Sequence, residues 1–165
     1  MKYYRQVNEM INLTLEKRQL CDIQGRLFEL ALKNGYDCPA FIDAFMNSKA
    51  AAALDDVYDR LQWAGEEYIL EELEDEVNGL KKAGSVFHVE VMYWTGYIYR
   101  YWHYYTGQNS REIYQIADAE MMNECWLGFH TLDAAMAVDD LREICRQKYN
   151  GKNRVSGFCP KQDCF

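Results

Sequence analysis

Two side chains in the stretch "VMYWTGYIYRYWHYYTG", residues 91 to 107, could do chemistry: Arg100 and His103, three positions apart among six tyrosines and two tryptophans. A guanidinium can hold a phosphate or a carboxylate, an imidazole can give or take a proton near neutral pH, and flanking rings can stack on a base. Tyr97, Arg100, Tyr101 and His103, together with Trp63 and Glu67, are therefore the ligand-binding candidates. The plainer reading of the same residues is a core. If Arg100 is buried it needs a carboxylate partner, and Glu66, Glu67 and Glu90 are the candidates considered for that role. An internal ion pair with a hydrogen-bonded histidine is the favoured expectation, because buried charges are normally paired.

The spacing around these two residues decides how they are presented. Tyr93, Tyr97, Tyr101 and Tyr104 form one stripe at helical steps, Trp94, Ile98, Tyr101 and Tyr105 form the next, and Met92, Tyr99 and Trp102 cover a third side. A helix that is apolar nearly all round is a buried central helix. Gly96 inside it costs about 1 kcal/mol relative to alanine, which predicts that another backbone comes close there. So many hydroxyl and indole groups require either an interior polar network or a wet cavity.

No other catalytic constellation stands out. The chain has no Gly-rich phosphate loop, no H-E-x-x-H, no zinc-deaminase pattern and no G-x-S-x-G. Arg100 and His103 do not match the Arg-x4-His spacing of the helical HEPN ribonucleases, and the Glu-x-x-His pairs of di-iron bundles are missing. Six cysteines read as thiols, with Cys21, Cys38, Cys125 and Cys145 in or beside helical segments. Cys159 and Cys164 in "GFCPKQDCF", with His130 and Cys145, could number four zinc ligands, but the spacing lacks the two tight pairs of zinc modules. Neither a metal nor a cofactor is expected.

A second feature is electrostatic. Seven of the eleven residues from Glu66 to Glu76 are acids, namely Glu66, Glu67, Glu71, Glu72, Glu74, Asp75 and Glu76. An apolar seam at Leu70, Leu73, Val77 and Leu80 turns most of them outward. Like charges such as Glu67 with Glu71 cost the helix a few tenths of a kcal/mol each. This face is either plain solvated surface or a docking surface for a basic partner. The whole chain carries 26 acids against 18 bases, a formal charge of -8, which disfavours direct nucleic-acid binding.

The elements that must position these residues are helical. Only two prolines occur, and no alternating β-branched run argues for strands. The expectation is an all-α, single compact multi-helix domain over residues 1–149, built around the aromatic helix, with a polar tail at 150–165. Helices are predicted from about Val7 to Lys33, closed by Asn34-Gly35; over "PAFIDAFMNS" after Pro39; and from Asp55 or Asp56, with a possible break, through "VYDRLQWAGEEYILEELEDEVNGLKK". Further helices are the aromatic one, closed by Thr106-Gly107; "REIYQIADAE", capped by Asn109 and Glu112; and a last one from Thr131 or Asp133 to Tyr149. A chain of 165 residues buries roughly 70% of its unfolded surface, so this core needs no staples. No run approaches the roughly 18 apolar residues of a membrane span, and "MKYYRQVNEM" lacks the apolar run of a signal peptide. A cytoplasmic location without membrane association is expected.

Five segments together carry a resemblance: "FMNS" at 45–48, "YDRLQWAGEEYILEEL" at 58–73, "YWTGYIYRYWHYYTG" at 93–107, "IYQIADAE" at 113–120 and "FHTLDAAMAVDDL" at 129–141. Over residues 40 to 142 the chain resembles a family of small bacterial helical proteins of no established activity. That family is associated with toxin-antitoxin-like operons that also hold predicted ADP-ribosyltransferase-like proteins. The resemblance implies a protein-binding factor of such a module: an antitoxin, immunity or accessory protein whose acidic face docks a basic partner, with an ADP-ribosyltransferase-like toxin or a nucleic-acid enzyme as candidates. The alternatives are an acidic inhibitor of a nucleic-acid enzyme, as in phage counter-defence, a nucleotide-binding or nucleotide-processing protein using the aromatic pocket, and a self-associating module.

Overall fold

Local capping chemistry starts most of the helices. The computed structural model describes residues 13–156, with side chains as far as residue 152. Thr14 accepts a hydrogen bond from the Lys17 N–H and starts α1, Leu15–Lys33; the start expected at about Val7 lies outside the described residues. Asn34 caps its end and Gly35 turns the chain at φ 79°. Asp37 then caps α2, Cys38–Met46, with Pro39 in its first turn.

Ser48 caps α3, Lys49–Asp55, a short helix that the sequence reading does not separate out: Asp55 ends a helix here instead of starting one. A 3-10 turn, Arg60–Trp63, leads to α4, Glu66–Glu76, which carries the acidic run. The aromatic helix is α5, Val89–Thr106, closed by Gly107 at φ 78°. Asn109 and Glu112 form the expected capping box on α6, Ser110–Ile116. The segment expected as one helix then breaks, because Asp118 caps a separate α7, Ala119–Phe129. Asp133 accepts from the Ala135 N–H at the start of α8, Ala134–Ser156, so the tail expected from residue 150 begins as helix.

The chain is thus an all-α single domain, with no strand among the described residues and one isolated bridge between Tyr36 and Lys82. That bridge explains why α4 stops at Glu76. Val77 and Leu80 fit the helical seam, but the chain from Gly79 (φ 83°) to Phe87 is held instead against the α1–α2 corner. Asp37 accepts from the Ser85 N–H at 2.6 Å, its own N–H donates to the Lys81 carbonyl at 3.0 Å, and the Cys38 N–H donates to the Ser85 carbonyl at 2.9 Å.

Among the described residues, helices α1 and α5 make the most extensive contact. They cross with backbone against backbone: a Cβ on Gly96 would lie 2.4 Å from the Gln24 carbonyl oxygen, and one on Gly25 would lie 2.7 Å from the Tyr93 ring. Beside this crossing Phe28 meets Phe41, Phe45 and Tyr99 edge to face at 5.4, 5.5 and 6.3 Å, in a core where each fully buried aromatic contributes about 2 kcal/mol. The central role expected for the aromatic helix holds. No helix among the described residues is long and apolar enough to cross a membrane.

Candidate functional site

Arg100 sits on α5 one residue past a helical turn from Gly96, so the close α1–α5 approach carries its side chain into the interior, where it is fully buried. Its Nη1 donates to Asp55 Oδ1 at 2.7 Å, its Nε to Gln24 Oε1 at 2.8 Å and its Nη2 to Ser110 Oγ at 3.4 Å. The carboxylate partner is therefore Asp55, the last residue of α3, and not Glu66, Glu67 or Glu90. Asp55 is itself held: Ser110 donates its N–H to Oδ2 and its hydroxyl to Oδ1, both at 2.8 Å. Gln24 completes the set by donating Nε2 to the Gly96 carbonyl at 3.0 Å. Four helices thus converge on one neutral, hydrogen-bonded cluster, which is the arrangement that makes a buried charge tolerable.

His103 lies at the edge of this cluster. Its Nδ1 is 2.7 Å from the Gln108 carbonyl, which accepts and so requires the proton on Nδ1, and 3.7 Å from Asp55 Oδ1. Burial lowers its pKa below the usual histidine value, and the nearby Arg100 cation acts in the same direction. Gln108 is fixed in turn by Trp102, whose indole N–H donates to Oε1 at 2.8 Å. The histidine holds the α5–α6 turn in place.

The tyrosines resolve into a network. Tyr93 donates to Asp22 at 2.5 Å, Tyr99 to the Ala117 carbonyl at 2.6 Å, and Tyr105 to Asp139 at 3.0 Å. Tyr101 is buried, and burial pushes its hydroxyl up to about 12. Tyr97 is half-buried with its ring 6.2 Å from that of Tyr93. Of the six ligand-binding candidates, then, Tyr97, Arg100, Tyr101 and His103 share α5, but each of the three guanidinium nitrogens of Arg100 has an internal partner. Trp63 and Glu67 stand apart from the cluster, exposed on the 3-10 turn and on α4.

Asp55, Gln24 and Ser110 are the members that sequence reasoning misses. Gln24 carries a signal in hindsight, since it interrupts the apolar face formed by Leu20, Leu27 and Phe28 on α1. The outward side of Asp55 lines a groove of about 410 Å³ with Met46, Ala52, Asn109 and Arg111. Arg111 there donates to the Asn47 carbonyl at 3.1 Å.

The acidic face is divided between internal and outward roles. Glu66 pairs with Arg26 at 3.2 Å, Glu72 with Arg60 at 3.8 Å, and Glu74 accepts from the Tyr36 hydroxyl. Glu76 accepts from the Lys49 N–H at 2.8 Å and so holds the start of α3. Glu67, Glu71 and Asp75 point into solvent. Cys21 and Cys38 are buried thiols, and burial pushes Cys21 up to about 12. Cys159 and Cys164 lie outside the described residues. Comparison with family models, curated proteins and solved structures returned no match to this chain.

Proposed function

We propose that this chain is a cytosolic binding protein, an antitoxin, immunity or accessory factor, whose acidic α4 face docks a basic protein partner. The observation that carries the reading is the division of charge. Arg100, the arginine among the aromatic rings, is paired inside with Asp55, while α4 holds seven acids and no base, with Glu67, Glu71 and Asp75 directed outward. A surplus of one sign on one face raises association rate and selects partners of the opposite sign. The resemblance to proteins of toxin-antitoxin-like operons supports a toxin of the ADP-ribosyltransferase-like kind as that partner.

The test is co-purification of the tagged chain with the product of the adjacent gene at about 50 mM salt, where screening is weak. A complex that weakens in Glu67→Gln/Glu71→Gln/Asp75→Asn supports the reading; no complex at that salt overturns it. If the partner is a nucleic-acid enzyme, DNA or RNA will compete with this chain for it. The nucleotide-handling alternative predicts a raised melting temperature with millimolar ATP or NAD. With Arg100 fully buried and paired with Asp55, no shift is expected.

A further inference from the structure

The turn between α3 and α4 shows three large apolar side chains to solvent: Val57 is 97% exposed, Tyr58 75% and Trp63 72%. This is not loose chain. Leu61 in the same turn is buried, the Leu61 N–H donates to Asp59 at 2.9 Å, the Val57 N–H donates to Asp56 at 2.7 Å, and Gln62 donates to the Asp56 carbonyl at 2.8 Å. A pinned turn that buries one apolar residue and displays three others has the marks of an interaction site. Trp and Tyr are also the residues most enriched in binding hot spots.

The geometry joins this turn to the acidic helix. In a 3-10 turn, side chains three apart eclipse, so Trp63 lies in line with Arg60. Arg60 in turn reaches Glu72 on α4 at 3.8 Å, and the Glu72 carboxylate raises the pKa of the Tyr68 hydroxyl. Arg60 lines a groove of about 410 Å³ together with Lys49 and the four acids Asp59, Glu72, Asp75 and Glu76, so carboxylates outnumber cations there. The acid-rich groove thus shares Arg60 with the 3-10 turn that displays Trp63. Arginine suits both halves of such a surface, because its planar cation stacks on indole and phenol faces while pairing bidentately with carboxylates; the compact, strongly hydrated lysine ammonium does this less well.

We infer that Tyr58 and Trp63, together with Glu72 and Asp75 of the adjoining groove, are the epitope of this protein and that its occupant is an arginine-rich segment of the basic partner. The inference rests on the basic-partner reading above and specifies where and how that partner is held.

Two synthetic decapeptides serve as probes, one alternating Arg and Gly and the other Lys and Gly, titrated into the full chain at about 20 mM salt by calorimetry. The arginine peptide is expected to bind about 5-fold or more tightly than the lysine peptide, and Trp63→Ala to erase that preference. Asp75→Asn should weaken both peptides alike. Because Trp63 is largely exposed, the variant should keep the wild-type melting temperature, which is measured alongside. Equal binding of the two peptides, or an arginine preference that survives Trp63→Ala, overturns this epitope while leaving an acidic docking face in place. Failure of both peptides to bind overturns the basic-partner reading itself, and the epitope with it.

Discussion

Replacing Asp55 by alanine removes the carboxylate that pairs with the Arg100 guanidinium, which has no access to solvent. Breaking a buried ion pair by deleting one partner costs about 3–5 kcal/mol, most of it the desolvation of the stranded charge. The Ser110 N–H and hydroxyl lose their acceptor as well, at about 1 kcal/mol each, although the Asp55 side chain is 10% exposed and water will recover part of that. A net loss of about 4 kcal/mol follows. For a chain of this size each kcal/mol moves the melting temperature by about 2–4 °C, so a drop of about 8–16 °C is expected. Asp55→Asn, which keeps the shape and loses the charge, should fall by less. The decisive measurement is a double-mutant cycle by urea unfolding: Asp55→Ala/Arg100→Met should be more stable than Asp55→Ala alone, because it removes the stranded cation. An Asp55→Ala loss under about 1 kcal/mol, or a double variant that merely adds the two single losses, would refute the reasoning. It would mean that water reaches the guanidinium, and the ligand reading of Arg100 would regain its ground.

Two further outcomes test the frame around the site. Gly96→Ala gains about 1 kcal/mol in helix propensity, yet its methyl would sit 2.4 Å from the Gln24 carbonyl oxygen. A net loss of about 2 kcal/mol is therefore expected from the urea midpoint, and a stabilised variant would contradict the α1–α5 crossing. His103 is held below its ordinary pKa chiefly by burial, so the folded state favours the neutral ring. Its contribution is complete above about pH 6.5 and is lost as pH falls through the lower folded value. His103→Gln should flatten the stability profile below about pH 6.5, and an unchanged slope would place the ring in water.

What the sequence alone determined are the features whose causes lie within one or two helical turns. The all-α class, the central aromatic helix, the Asn109–Glu112 capping box and the left-handed closure at Gly107 are of this kind. Gly96 belongs with them, since a glycine inside a helix marks a close approach even when the approaching chain is unknown. The seam through Leu73, Val77 and Leu80 shows where such local rules stop. It is a sound helical pattern, but tertiary hydrogen bonds at the Asp37 corner compete for the same backbone, and α4 ends at Glu76.

The candidate site divides in the same way. That a buried arginine at position 100 requires an acceptor follows from solvation energetics alone. Which acceptor it finds does not, because Asp55 precedes it by 45 residues and Gln24 by 76. Nothing local distinguishes that carboxylate from the twenty-five other acids, and although Gln24 interrupts the apolar face of its helix, nothing local names the group it bonds. The ends of α3 and α6 meet α1 and α5 at one point only after the helices pack, and tertiary structure chose the partner because only packing brings their side chains within hydrogen-bonding distance.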